Sequence, residues 1–393
     1  MAKKDRYLVG LDIGSTKTCA LLAEMENEQI RFLALGAAES KGLRKGLIVN
    51  LDSAVSSIRR AVEEAESVAN VPVESAVIGV AGNYVRGVNS RGGIPLGPRA
   101  RDIEREDVRH AIDTARNIAL PGDREVLHVL PHEFVVDAQD GIRDPVGMVG
   151  QRLEANVHIV TSSVAATQNL VTAANKAGIL INDTVLEPLA SAEACLTQDE
   201  RDLGCCLLDI GGGTTELIVY GGGVVRHTGA VAIGGDHFTN DLAVGLRTPI
   251  PEAERIKRHH GCAAERLLHN DGAIEIASVG DRPPRTIFSR MLTEIIEPRA
   301  QELLTLLGED LRRAGLDRQI PAGFVMAGGG ARLNGLLELT EEEFRLPARM
   351  AEPHGVLELP EQVGQPEYAT AVGLVLYAAK ARKAAAQRPG NLV

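Results

Sequence analysis

The first apolar run of the chain, Tyr7-Leu8-Val9-Gly10-Leu11-Asp12-Ile13-Gly14, is too short for a helix and reads as a buried strand. A second run over 18–23 follows the polar turn Gly14-Ser15-Thr16-Lys17. Together they predict a β-hairpin with a glycine-started tip. A third strand over 30–37 continues the meander after Glu26-Asn27-Glu28. The period then changes. Over 52–69, Val55, Ile58, Val62 and Ala65 recur at helical spacing, with Asp52 or Ser53 as N-cap. From about 83 to 161 the pattern predicts a charged helix over 102–118 and strands over 126–130, 133–137 and 155–161. Breaks at Gly141, Pro145 and Gly147 complete what reads as a small α+β insertion. A long amphipathic helix over 293–311 is expected to be interrupted or kinked at Pro298.

The opening pattern returns. Leu208-Asp209-Ile210-Gly211-Gly212-Gly213-Thr214-Thr215 repeats Leu11-Asp12-Ile13-Gly14-Ser15-Thr16 at an offset of 209 − 12 = 197 residues, about half the chain. An apolar strand, Leu217-Ile218-Val219-Tyr220, follows this copy too, and Gly221-Gly222-Gly223 leads to another strand over 224–227. Two such meanders suggest a duplicated domain with hairpins facing each other across a cleft. A third glycine site, Gly328-Gly329-Gly330-Ala331, stands between an apolar strand and a helix expected over 333–339. Strand, glycine turn and helix is a geometry that lets backbone approach a phosphate or nucleotide.

Composition narrows the function. The 393 residues call for two to four domains. A formal net charge of −11 and 3% aromatics disfavour nucleic-acid binding and broad adhesion to anionic membranes. Five cysteines without a C-x-x-C pair argue against a disulfide framework or structural zinc and fit a reducing compartment. Neither a signal peptide nor a stretch of about 20 apolar residues is present. His259-His260 with Cys262 has the wrong spacing for a closed zinc site, and Cys205-Cys206 reads as packing in a strand.

The hairpins carry the candidate chemistry. Tight glycine turns expose backbone N–H groups as an anion site. Ser15, Thr16, Thr214 and Thr215 add hydroxyls, and Lys17 adds a point charge for phosphate. Asp12 and Asp209 end the strands before the turns, where each can hold the waters of a Mg²⁺ ion. A lone motif of this kind is an ordinary turn with an Asx cap. Two copies and a third glycine turn in order favour a clamp on a triphosphate. No Walker P-loop, G-x-G-x-x-G, H-E-x-x-H or G-x-S-x-G is present.

This order of hairpin, connecting segment, second hairpin and glycine turn resembles the actin, sugar kinase and heat-shock ATPase superfamily. Within it the chain resembles the FtsA family of bacterial cell division. The specific matches are Leu127-His128-Val129-Leu130-Pro131-His132-Glu133-Phe134, Gly141-Ile142-Arg143-Asp144-Pro145-Val146-Gly147-Met148 and Ala155-Asn156-Val157-His158-Ile159-Val160-Thr161, in the insertion that marks that family. Leu186-Glu187-Pro188-Leu189-Ala190-Ser191-Ala192 and Ala369-Thr370-Ala371-Val372-Gly373-Leu374 resemble its two connecting segments.

The resemblance implies an α/β, actin-like two-lobed ATPase fold. The first lobe would comprise 1–83, 162–190 and 360–393, and the inserted subdomain 84–161. The second lobe would comprise 191–230 and 305–359, with 231–304 as its subdomain. ATP and Mg²⁺ would lie in the cleft. Gly14, Ser15, Thr16 and Lys17 match the first phosphate motif, with Asp12 towards Mg²⁺. Asp209, Gly211, Gly212, Gly213 and Thr214 match the second. Gly328, Gly329, Gly330 and Ala331 match the adenosine motif, and Glu254 and Lys257, on a helix over 251–259, the face towards base and ribose. Glu187 either orients an attacking water or caps the segment before Pro188. The protein would be at most a slow ATPase. It would self-associate into protofilaments and link the FtsZ ring to the membrane and to later division proteins. Its place would be the cytoplasmic face of the inner membrane at the division site.

The family's FtsZ-tail docking surface falls on 231–304, with Arg285, Arg290 and Arg299 placed around a helix over 287–304. The stretch 378–393 carries Lys380, Arg382, Lys383 and Arg388 but no bulky apolar stripe, so it is expected to bind lipid weakly. Other actin-fold proteins of pilus assembly or cell shape are alternatives, the shape proteins being the less compatible with the insertion. A metabolic kinase or phosphatase of the superfamily lacks a matching substrate motif.

Overall fold

The computed structural model describes residues 6–268, 270–280 and 282–386. Two five-stranded sheets of the same topology organise it. In the first, Tyr7–Ile13, Lys17–Glu26 and Gln29–Glu39 form an antiparallel meander. Tyr7–Ile13 also pairs in parallel with Ser75–Val80, which pairs in parallel with Leu180–Leu186. In the second, Cys205–Ile210, Thr215–Gly221 and Val224–Val231 form the meander, and Phe324–Ala327 and Ala348–Met350 are the parallel pair. Hairpins need only tight turns, whereas each parallel neighbour needs a crossover. Those crossovers contain the helices Leu51–Ala69 and Val164–Lys176 in the first lobe. In the second they contain Gly235–Leu246, Ile250–His260, Ser289–Arg313 and Leu336–Phe344.

Each lobe buries a core of its own. Val9, Leu11 and Leu22 pack on Val55, Ile58 and Val62, the helical face read from the sequence. Leu208, Ile210 and Leu217 pack on Phe238, Leu242 and Leu303. A further apolar layer joins the lobes. It takes Leu8 and Leu21 from one sheet, Leu207 and Ile218 from the other, and Ala190, Ala371 and Val375 from two connecting helices. Those helices, Glu187–Cys195 and Ala369–Ala386, pass so close that a Cβ on Gly373 would lie 1.8 Å from the Ala190 carbonyl oxygen. Only glycine fits at that crossing.

The insertion between Ser75–Val80 and Val164–Lys176 is an antiparallel sheet in the order Gln139–Ile142, Arg124–Val136, Arg152–Ser163, Arg86–Pro95. Helix Arg105–Arg116 covers one face, with Gly92 against Ala115.

Several local expectations need correction. Asn50, rather than Asp52 or Ser53, caps the first helix, its side chain accepting from the Ser53 N–H. The two strands expected around Pro131 are one strand, because a register shift opposite Asn156 and Val157 lets the ladder skip His132. Pro298 does not interrupt helix Ser289–Arg313, which runs 25 residues. Ile287 lies in strand Arg285–Phe288 and not in that helix. After the third glycine turn a short 3₁₀ segment, Gly329–Arg332, precedes helix Leu336–Phe344. The final helix extends from Ala369 to Ala386, so the basic stretch up to there is helical, with its cations paired at the surface. Lys380 meets Glu193 at 2.5 Å, Arg382 donates to the Tyr7 carbonyl at 2.6 Å, and Lys383 to that of Glu28 at 3.3 Å. Arg388 lies outside the described residues. No helix among the described residues is long and apolar enough to cross a membrane.

Candidate functional site

The two repeated turns close in the same way. Gly14 N–H donates to the Lys17 carbonyl at 3.0 Å, and Gly211 N–H to that of Thr214 at 2.9 Å. They face each other tip to tip across the lobes. A Cβ on Gly212 would fall 1.9 Å from Thr16 Oγ1, and one on Gly213 2.8 Å from Ser15 Oγ. The loop at Lys45 lies over the tips, where Gly46 N–H donates to Ser15 Oγ at 3.0 Å. Behind the second tip, the start of helix Gly235–Leu246 donates to it, Gly235 N–H to the Gly211 carbonyl and Asp236 N–H to that of Gly212. Gly328 completes the floor with φ of +80° and no room for a Cβ, which would meet the Ile210 carbonyl at 2.4 Å and Asp209 Oδ1 at 2.6 Å. All three glycine segments therefore converge on the end of Cys205–Ile210.

Four carboxylates collect beneath the tips. Asp12 and Asp209 are each 8% exposed and Glu216 is 5% exposed. Glu187 is half-buried at the first turn of its helix, its side chain packed on Gly79. Burial raises the pKa of Asp12 to about 6, with Lys17 opposing and Asp209 adding to the shift. Burial pushes Glu216 up to about 8. It also raises Glu187, on which Asp12, Glu216 and Asp209 act in the same direction. Asp209 is raised by burial but held back by hydroxyls: Ser191 Oγ donates to Oδ2 at 2.7 Å and Thr370 Oγ1 at 3.1 Å. Those two hydroxyls come from the two connecting helices, so Asp209 is tied to both.

Lys17 donates to the Glu367 carbonyl at 2.6 Å, and its ammonium lies 3.7 Å from the centre of the Tyr368 ring. Glu254 and Lys257, expected to face base and ribose, pair with each other. Lys257 Nζ meets Glu254 Oε2 at 2.7 Å and donates to the Gly235 carbonyl at 2.9 Å. Thr239 donates to the same Glu254 carboxylate.

The buried carboxyl groups offer a divalent cation a negative setting rather than a set of direct ligands. Glu216 Oε1 is buried without a hydrogen-bond partner, as is the Tyr84 hydroxyl, whose pKa burial and the charges of Glu187 and Glu216 push up. Such a surplus of buried negative charge is relieved by a cation or by protons. Among the described residues no three candidate ligands converge on one point, so an ion here would keep its own waters, as Mg²⁺ prefers.

Sequence reasoning missed Glu216, Ser191, Thr370 and Tyr84. Glu216 had a signal, being an acidic residue in the otherwise apolar run after the second turn. It pairs in the ladder with Asp209, as Cys19 pairs with Asp12. His128 was missed as well. Its Nε2 accepts from the Leu186 N–H at 3.0 Å, just before Glu187, and burial lowers its pKa to about 4, which keeps it an acceptor.

The three arginines assigned to partner docking are engaged within the chain. Arg285 donates to the Leu246 carbonyl from its strand. Arg290 pairs with Glu265 at 2.7 Å and Glu294 at 3.4 Å. Arg299 pairs with Asp241 at 2.7 Å and Glu302 at 2.5 Å.

Comparison with known proteins agrees with this architecture. Residues 206–373 match the family model described as cell division protein FtsA, and 82–161 match the SHS2 domain inserted in FtsA. A cell division protein FtsA of Pseudomonas aeruginosa is 44% identical over 95% of this chain and 89% of its own length. That of Escherichia coli K12 is 36% identical over 95% and 90%. Among solved structures, a chain of a PilM–PilN type IV pilus biogenesis complex superposes with a TM-score of 0.68 at 19% identity, covering 95% of this chain and 98% of that one. MreB5 of Spiroplasma citri bound to ADP gives 0.60 at 16% identity, covering 98% and 100%. These structures establish an actin-like fold. With relatives of such identity along nearly the whole chain and the family's own inserted domain in place, the chain belongs to the FtsA family of cell division proteins.

Proposed function

We propose that the protein binds Mg²⁺·ATP between its two lobes and uses the bound state to control self-association into protofilaments. The observation that carries this is the pair of identically closed turns meeting tip to tip above Asp12, Asp209, Glu216 and Glu187. Backbone N–H groups of Gly14–Thr16 and Gly211–Gly213, with Lys17, would take the phosphates. Ala331 and Gly328–Gly330 would lie against adenosine, and Glu254 and Lys257 beside the ribose and base. Asp12 and Asp209 would hold Mg²⁺ through water, and the ion would offset phosphate charge. Glu187 would accept a hydrogen bond from a water near the terminal phosphate, and the protein would be at most a slow ATPase. Because the tips touch, a nucleotide enters as the lobes part about the helix crossing at Gly373. Replacing Gly213 by Val fills the contact with Ser15 and Lys45. Gly213→Val is expected to abolish ATP binding by isothermal titration while circular dichroism stays native. Unchanged affinity would remove the cleft assignment.

We further propose that the protein links the FtsZ ring to the membrane and to later division proteins, with the FtsZ tail docking on 231–304. Arg290 is half exposed, and its pairs with Glu265 and Glu294 sit in water, where ion pairs are weak and exchange readily. Phe288 and Met291 beside it are exposed, supplying apolar contact. Arg299 is more buried and held by Asp241, so its part would be to shape the helix. Pull-down by an FtsZ tail peptide should fail for the Arg285, Arg290, Arg299 triple Glu variant. Retention at wild-type strength would move the docking surface elsewhere.

A further inference from the structure

A cavity of about 310 Å³ lies between the inserted sheet and the second lobe, away from the cleft. Its size is at the low end of small-molecule pockets. Asn89 and His132 line it from the insertion, and Arg226, His227, Asp310 and Arg313 from the second lobe. Three features distinguish it from a packing gap. First, His132 is the residue skipped by the ladder between Arg124–Val136 and Arg152–Ser163. A bulge of this kind re-aims a side chain. Its ring stacks on His158, and its Nε2 is buried without a hydrogen-bond partner. Second, the neighbouring imidazoles are engaged: His158 meets Asn89 at 2.6 Å and Thr228 at 2.8 Å through both ring nitrogens, and His227 Nε2 meets Asp310 at 2.7 Å. His132 Nε2 is left without a partner beside these three contacts.

Third, the charge in the lining is positive. Asp310 is its one carboxylate and is committed to His227. Arg226 Nε donates to the Gly221 carbonyl at 3.1 Å, leaving other guanidinium N–H groups to serve a ligand. Arg313 is exposed in the last turn of helix Ser289–Arg313. The carbonyls of that turn are partly spent, since Ala314 N–H donates to the Asp310 carbonyl and Leu316 N–H to that of Leu311. Two guanidiniums and two amides, Asn89 and Gln319, around a small volume suit a compact oxyanion.

We infer that this cavity is a second ligand site, which takes a small organic anion bearing a phosphate or carboxylate and bridges the insertion to the second lobe. Arg226 and Arg313 hold the anion, and the His132 ring lines the wall beside it. A ligand there touches both bodies and so restrains the insertion against strand Val224–Val231.

The test uses glycerol 3-phosphate and citrate as probes, with glycerol as the uncharged control, titrated into the full chain by ligand-observed NMR and calorimetry. Binding of one or both anions, not of glycerol, is expected, with movement of the His132 ring ¹⁵N resonances. Arg313→Glu, a surface change, should weaken it at least about tenfold. No binding of either anion to the wild type overturns the inference, and so does equal binding by wild type and Arg313→Glu.

Discussion

The hairpins that begin the two lobes share a backbone and differ in charge. Both place an aspartate at the same ladder position and close the same turn four residues wide. The first continues with Lys17 and Cys19, the second with Thr214 and Glu216 at the matching positions. One lobe therefore brings a cation and a small apolar thiol, the other a hydroxyl and an extra buried carboxylate. Burial pushes the Cys19 thiol up to about 12, so it adds no charge, and raises the Glu216 carboxyl to about 8. A duplicated scaffold fixes where the groups stand. Local substitution then sets the charge at each tip: in the proposed function Lys17 would add a cation for phosphate to the first, and Glu216 adds a carboxyl group behind the second.

The largest effect should come from the cation. Lys17→Ala removes the ammonium beside the first turn and should weaken ATP binding roughly 100-fold, the loss of a charge-assisted contact in a buried setting. Thr214→Ala, its counterpart, should cost no more than about fivefold, as for one neutral hydrogen bond. Nucleotide titrations of the two variants break the comparison if their losses are equal.

A smaller effect concerns Glu216. Its folded-state pKa of about 8 lies above the ordinary 4.5, so the folded chain holds a proton that the unfolded chain has released. Without Mg²⁺, the contribution is fully favourable below about pH 4.5 and is lost as pH rises to about 8. Glu216→Gln should remove that slope and raise the melting temperature at pH 8 by on the order of 3 °C. Cys19→Ala should leave the slope in place. Thermal melts across this pH range in chelator check both, and an unchanged slope in Glu216→Gln would place the buried proton elsewhere.

Much of this molecule is legible in its sequence because glycine turns and strand periodicity are local signals. The 197-residue repeat, 209 − 12, foretells two sheets of one topology, and Gly14, Gly211 and Gly328 mark the turns that converge. What was not legible depends on distance in space. Ser191 and Thr370 are ordinary hydroxyls until two helices cross at Gly373 and bring both to Asp209. Pro131 argues for a break, yet the sheet absorbs it by skipping His132. Arg285, Arg290 and Arg299 read as free cations because their carboxylate and carbonyl partners lie far along the chain or on a neighbouring turn.

The central claim is that both lobes hold one Mg²⁺·ATP. It is tested most directly by calorimetric titration of ATP, with and without Mg²⁺, into the wild type and into Asp12→Asn and Asp209→Asn. The account predicts that Mg²⁺ tightens ATP binding to the wild type and that either substitution abolishes this gain. A gain of wild-type size in both variants would contradict it.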